Sequence, residues 1–307
     1  VDYRTFSADV HRSVNSATYG ETVVIQPVMF PVHGSGSWAS ADLLLGVPAG
    51  GRPEYGPRPA AGDRLVARHT VQTSTATHRL VLNAPAALGR RALSGAIADA
   101  VAELRAIDVT YSPLRPDSLV SRLRRGEVNP ESYPPLADIV ARCAAMRAAT
   151  DGWFDAWAVP GGFDPGGLLG GWAVERAAAR LRAAGVHDYA VVRGADVVVR
   201  GHAPHGGPWR IAVHHPSDRR RPAMVLEMTS GAVGTSGVGG RVDHVVDPHT
   251  GEPARQLAAA TVLGPDLAVA DGYATALYAA GPAGLRWFPT ADGYRALLPD
   301  QGRTRSA

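Results

Sequence analysis

From residue 189 onward the chain delivers strand-forming runs in quick succession, and this limits its fold more than any other feature. Tyr189-Ala-Val-Val-Arg193, Val197-Val-Val199, Trp209-Arg-Ile-Ala-Val213, Met224-Val-Leu-Glu-Met228 and Asp243-His-Val-Val246 are separated by Gly, Pro or Asp signals. Connections between parallel strands need a dozen or more residues, so spacings this short suit a largely antiparallel sheet. Earlier in the chain, Arg64–Val71 and Thr77–Leu82 read as a hairpin, and Leu93, Ile97, Val101 and Leu104 mark one helix face. A short segment spans Ser118–Leu123 and a second helix covers roughly 135 to 149. A strand at Ala259–Leu263, a helix over Leu267–Ala280 closed by Gly281 and a run at Tyr294–Leu298 complete the pattern. The fold class predicted is α+β, a mostly antiparallel sheet flanked by helices.

Between the helical and strand-rich parts lies Asp164-Pro-Gly-Gly-Leu-Leu-Gly-Gly-Trp-Ala-Val-Glu-Arg176. It reads as a glycine-rich turn feeding a helix, with Trp172, Ala173, Ala177 and Leu181 at helical spacing and Gly185 suited to the left-handed position after the last turn. Glycines such as Gly166 and Gly170 let backbone approach a ligand, and free N–H groups at a helix start favour phosphate or pyrophosphate. The plainer reading is a loop-to-helix junction.

Composition removes several chemistries. None of the 307 residues is Lys, which excludes Walker-type phosphate binding and Schiff-base catalysis. The net charge is +3, but the arginines are scattered and the run Arg219-Arg220-Arg221 lies among Pro, Ser and Asp, so no nucleic-acid surface is predicted. The single Cys143 sits in the apolar helical pattern Leu136, Ile139, Val140, Cys143, Met146, a core position, and rules out disulfides and Cys-based zinc sites. With no run of ~20 apolar residues and no signal-peptide pattern, no membrane span is expected. The sequence reads as cytoplasmic, an extracytoplasmic location staying open if an upstream signal has been removed.

Three constellations carry chemistry. Asp271 and Thr275 are four apart on a helix and share a face, where carboxylate and hydroxyl suit one hard cation, while Val269, Tyr273, Leu277 and Ala280 can turn to the core. Gly231-Ala-Val-Gly-Thr-Ser-Gly237 offers Thr235, Ser236 and Gly237 as small groups that line a ligand, or else a tight turn between strands. In Asp243-His-Val-Val-Asp-Pro-His-Thr-Gly251, His244 and His249 titrate near neutral pH amid Asp243 and Asp247.

In this order, the pieces resemble one family, the FAD:protein FMN transferases or ApbE flavin transferases, from about Thr70 to about Leu298. Phe154-Asp155-Ala-Trp-Ala-Val-Pro-Gly-Gly-Phe-Asp164-Pro-Gly-Gly-Leu with Gly171-Trp-Ala-Val-Glu-Arg is similar to the family's core signature in a compact, actinobacterial-like form. Ser112-Pro-Leu-Arg-Pro-Asp-Ser118 with Ser121-Arg122, Thr235-Ser-Gly237, His244–Gly251 and Ala270-Asp-Gly-Tyr-Ala-Thr275 resemble its other motifs. The resemblance implies the ApbE-like, T-fold-related α+β fold and an enzyme that cleaves FAD with Mg²⁺, attaches FMN to a Ser or Thr hydroxyl of a target protein and releases AMP. FAD pyrophosphatase activity on the side would follow from the same chemistry. It further implies metal ligation by Asp271 and Thr275 with carbonyls of Gly167 and Ala274, a catalytic role for Asp271, FAD contacts at Asp164, Gly170 and Val246, and His244 as base for the acceptor hydroxyl. The implied partners are FAD and an unnamed acceptor protein or small molecule, with a homodimer left open.

There are departures from the pattern. Many members have Lys where Gly170 stands, Gly194-Ala195-Asp196 replaces Gly-Gly-Asp, Ser121-Arg-Leu-Arg124 replaces Ser-Arg-Phe-Asn, and Gly234 replaces Ala before Thr-Ser-Gly. A second reading is therefore a divergent member that binds flavin without transfer or acts on a small molecule in specialised metabolism. Residues 63–300 form the expected transferase domain and 301–307 a tail. Residues 1–62 are an extension without a counterpart, expected to dock at 21–32 and run irregularly over 34–62.

Overall fold

The computed structural model describes residues 64–215, 218–237, 245–289 and 292–299, with the short strands at 14–15, 22–26, 54–55 and 304–306. Strands β1 (Val14–Asn15), β2 (Thr22–Gln26) and β3 (Glu54–Tyr55) precede the hairpin of β4 (Arg64–Gln72) and β5 (Thr77–Pro85). Helices α1 (Gly89–Tyr111), α2 (Leu119–Arg124), α3 (Pro134–Ala149) and α4 (Gly166–Ala183) follow. Next come β6 (Tyr189–Arg193), β7 (Asp196–Arg200), β8 (Trp209–His215), β9 (Asp218–Met228), β10 (Ser230–Ser236) and β11 (Ala260–Gly264). Helix α5 (Leu267–Ala280), β12 (Arg295–Pro299) and β13 (Thr304–Ser306) complete the order.

The fold is α+β, and its strand pairs are antiparallel. A nine-stranded sheet runs β13-β12-β11-β10-β7-β6-β5-β4-β3, and a four-stranded sheet runs β1-β2-β9-β8. The central strands of the large sheet are buried on both faces. Leu80, Leu82, Val191, Val198, Ala232 and Val262 join the core beneath α1, α3, α4 and α5, while Val81, Val192, Val197, Val199 and Val233 pack with Trp209, Ile211 and Leu226 of the small sheet. Two covered faces explain the unbroken valine runs of β6 and β7, where a half-solvated strand would alternate. Cys143 lies in the helix-side core, where burial pushes its thiol up to about 12.

Two sequence readings are corrected. The glycine turn does not precede the helix: Gly166, Gly167, Gly170 and Gly171 are its opening turns, with Gly167 and Gly171 set against α5, where a Cβ would meet Thr275 and Leu267, and Gly170 against Arg193 of β6. Gly231–Ser236 is neither loop nor turn but most of β10, inserted between β7 and β11. Of the strand expected over 243–246, Val246 makes a single bridge with Pro253, and Asp243 and His244 lie outside the described residues. In the N-terminal extension, Val24–Gln26 pairs with Val225–Glu227 of β9, and Glu54–Tyr55, within the stretch expected to be irregular, pairs with Ala67–Arg68 of β4. The remainder of the 1–62 expectation lies outside the described residues.

Candidate active site

His78, Arg193, Asp196 and Ser236 gather at one end of the large sheet, where β5 begins, β6 ends, β7 starts and β10 finishes. The register places His78 opposite Arg193 and Arg193 opposite Asp196, and Val197 opposite Val233. Over this end lie the first turns of α4 and the middle of α5. Their close approach depends on glycine. A Cβ at position 171 would stand 2.5 Å from the Leu267 carbonyl oxygen, and one at 167 would stand 2.6 Å from Thr275 Oγ1. The start of α5 is fixed from two sides: Asp266 Oδ1 accepts the Val269 N–H at 3.0 Å, and Glu175 Oε1 of α4 accepts the Leu267 N–H at 3.1 Å.

With the helices this close, Asp271 and Thr275 both meet the opening of α4. Asp271 Oδ2 accepts the Gly171 N–H at 3.3 Å, and Thr275 Oγ1 lies 3.5 Å from the Gly167 carbonyl oxygen and 3.0 Å from Ser236 Oγ. Ala274 is fully buried beside them. Burial, and then the charge of Asp196, push the Asp271 carboxyl well above the usual range, with Arg193 and the Gly171 N–H acting the other way. Asp196 is likewise buried and raised, although Arg193 Nη1 donates to its Oδ2 at 3.1 Å and the Thr235 N–H to its Oδ1 at 3.0 Å. His78 is pushed down to about 4 by burial and then by Arg193. Its Nε2 lies 3.2 Å from Thr73 Oγ1, and its Nδ1 is buried with no hydrogen-bond partner among the described residues.

The other sequence candidates sit around this cluster. Asp164 Oδ2 pairs with Arg124 Nη2 at 2.9 Å, its Oδ1 accepts the Gly166 N–H at 2.9 Å, and Arg124 Nε donates to the Phe163 carbonyl at 2.8 Å. Arg124, one of the departures in the upstream motif, thus ties α2 to the loop that enters α4. Ser236 faces α5, but the Thr235 hydroxyl lies 3.0 Å from Thr261 Oγ1 of β11, so Thr235 joins the cluster through its N–H on Asp196. Gly237 ends β10 at φ +94° against the Tyr278 ring, and Val246 is half-buried at its bridge to Pro253. His249 packs edge-on against Trp153 at 4.5 Å, and its N–H donates to Asp247 Oδ1 at 2.9 Å. In the upstream loop, Ser112 Oγ meets Ser74 Oγ at 2.7 Å, and Ser118 caps α2 by accepting the Ser121 N–H at 3.1 Å.

Sequence reasoning did not select His78 or Arg193 and met Asp196 only as part of a motif. Their signal was parity: each is a polar residue at a strand end, on the same face as Leu80, Val191 and Val198. Chemically, the cluster offers oxygen donors from three elements: the Asp271 carboxylate, the Thr275 and Ser236 hydroxyls and the Gly167 carbonyl. No group of three or more His, Cys, Asp or Glu that could hold a metal occurs among the described residues. One buried carboxylate with neutral oxygens, at a glycine-lined helix start, fits a hard divalent cation shared with a phosphate ligand.

Residues 159–298 match the family model described as ApbE family. The FAD:protein FMN transferase of Klebsiella pneumoniae (strain 342) is 34% identical over 122 residues, 36% of this chain and 35% of that protein. The FAD:protein FMN transferase of Rhodobacter capsulatus is 30% identical over 200 residues, 62% of this chain and 35% of that protein. These matches thus span about a third of each relative's length. The structure of the flavin transferase ApbE from Vibrio cholerae superposes with a TM-score of 0.66 at 21% identity, covering 80% of this chain and 97% of that one. The motifs from Asp164 to Thr275 fall within the matched segment, and the antiparallel fold brings them together: over residues 159–298 the chain is similar to the ApbE family.

Proposed function

We propose that the chain is a Mg²⁺-dependent FAD:protein FMN transferase. The observation that carries this reading is the convergence of Asp271, Thr275 and Gly167 at the glycine start of α4, with Thr275 Oγ1 3.5 Å from the Gly167 carbonyl oxygen. Asp271, Thr275 and the carbonyls of Gly167 and Ala274 would hold the ion. When bound, Mg²⁺ would neutralise charge that develops on the pyrophosphate oxygens as the bond to AMP breaks. The relatives named above bear the same activity in their names.

The chain's own residues then have distinct tasks. The first turns of α4, with the Gly166 N–H oriented by Asp164, receive the FAD pyrophosphate, and Ser236 and Gly237 line its path. An acceptor Ser or Thr hydroxyl attacks the FMN-side phosphorus, a new P–O bond forms, and the P–O bond to AMP breaks. The hydroxyl proton passes to His244, whose assignment rests on the sequence motif. The acceptor leaves as an FMN phosphodiester and AMP as the second product. Buried side chains around α5 keep water from competing as nucleophile. Incubating the protein with FAD, MgCl₂ and a Ser/Thr-containing acceptor peptide should yield AMP and flavin-labelled peptide. FAD that binds but stays intact would support the binding-only reading instead.

A further inference from the structure

We propose that Arg193 is the phosphate-binding cation of this site, its guanidinium reaching the pyrophosphate of FAD across the bare backbone of position 170. The inference rests on the flavin-transferase reading. Its observation is the space in front of Gly170: a Cβ there would lie 2.3 Å from both Cζ and Nη1 of Arg193 and 2.8 Å from its Nε. The guanidinium therefore occupies the volume in which any side chain at 170 would begin. Gly170 comes one turn after Gly167, whose carbonyl faces Thr275, and immediately before Gly171, whose N–H meets Asp271. Arg193 thus stands on the α4 surface that the pyrophosphate would approach.

The guanidinium is also held in place without being used up. Asp196 Oδ2 engages Nη1 alone, and Asp196 is fixed in turn by the Thr235 N–H, while 22% of the Arg193 side chain stays exposed. An arginine has five N–H donors in a planar fork, suited to phosphate. Charge points the same way. With Asp196 and Asp271 ionised and one divalent cation bound, Arg193 gives the site a net positive charge, and without it the sum is neutral against a doubly negative pyrophosphate. The other arginine near the start of α4, Arg124, is engaged by Asp164 and the Phe163 carbonyl. Gly170 leaves α4 without a cation at this point, and β6 supplies one from the other side.

Equilibrium binding of FAD and of ADP, with turnover measured in parallel, tests the assignment. Arg193→Gln keeps a hydrogen-bonding partner for Asp196 but removes the charge, and should weaken FAD and ADP alike by about ten- to a hundredfold. Gly170→Lys alone drives its Cβ into the guanidinium and should also lose affinity. Combined with Arg193→Ala, the Lys enters the vacated space, and the double variant should bind FAD at least tenfold more tightly than Arg193→Ala alone. A purely structural Arg193 would not give this rescue. Wild-type affinity in Arg193→Gln, or a folded double variant no better than Arg193→Ala, would overturn the proposal and leave the transferase reading standing. A wild-type protein that binds neither FAD nor ADP would overturn both.

Discussion

Two glycine-to-alanine changes, chemically identical and both inside helices, should move stability in opposite directions. In an exposed helix interior the change gains about 0.5–1 kcal/mol. Gly95 in α1 is such a place, since a Cβ there would have nothing within 4 Å. At Gly171 the same Cβ would meet Leu267 O at 2.5 Å, Leu267 C at 2.7 Å and the Ala268 Cα at 2.9 Å. These are backbone atoms that cannot rotate away, so α5 must shift, and overpacking of this kind costs about 1–3 kcal/mol. The net effect of Gly171→Ala is a loss of up to about 2.5 kcal/mol, which for a domain of this size lowers Tm by up to about 10 °C. Gly95→Ala should raise it by about 1–4 °C. Gly171→Ala should also lower FAD turnover disproportionately, since the shift lengthens the Asp271–Gly171 contact and separates Thr275 from Gly167. Thermal melts of both variants, followed by circular dichroism, give the answer. A Gly171→Ala protein stabilised as much as Gly95→Ala would refute the claim that glycine sets the distance between α4 and α5.

Three further outcomes are expected. His78, held near 4 against an ordinary 6.5, refuses a proton that the unfolded chain accepts, so it costs stability as pH falls from about 6.5 to about 4, by up to about 3 kcal/mol. Asp196 and Asp271, raised in the native state, act oppositely: they cost stability as pH rises above the ordinary carboxylate value through their own range. The informative quantity is therefore the difference between wild type and His78→Gln in urea unfolding across this window, and parallel profiles would exclude the His78 contribution. His244→Ala should bind FAD yet lose transfer, while wild-type turnover rises with pH through an apparent pKa near ~6.5; equal loss of FAD affinity would reassign His244 to binding. Ser236→Ala removes the hydroxyl 3.0 Å from Thr275 Oγ1 and should cost roughly 1 kcal/mol of transition-state stabilisation, about fivefold in turnover. Thr235→Val keeps its N–H on Asp196 and should leave turnover near wild type, so reversed effects would contradict the assignment of faces on β10.

Much of this arrangement was legible in the sequence, for reasons that individual residues make plain. The hairpin of β4 and β5 and the core face of α1 are local, periodic features, and so is the placing of Asp271 and Thr275 on one helix. The helix start at Gly166 was misread because glycine counts against helix in isolation, whereas here it is required by the Leu267 carbonyl and Thr275 on another element. The strand over Gly231–Ser236 was hidden for a related reason: a Cβ at Gly234 would lie 2.7 Å from the Asp271 N, so the sheet keeps a glycine under α5. No local pattern joins Gly170 to Arg193, because their contact exists only after α4 folds over β6. Thr235 and Ser236 looked equivalent until the register placed them on opposite faces.

The central claim is that Asp271, with Thr275 and the Gly167 carbonyl, holds the divalent cation on which FAD cleavage depends. The most direct measurement is AMP release from FAD as a function of Mg²⁺ concentration, in wild type and in Asp271→Asn. The substitution preserves size and a hydrogen-bond partner for the Gly171 N–H but removes the charge that holds the ion. The account predicts a saturable Mg²⁺ dependence in wild type and, in Asp271→Asn, a curve displaced to much higher Mg²⁺ with turnover lost at limiting metal. Wild-type turnover by Asp271→Asn at limiting Mg²⁺ would contradict it.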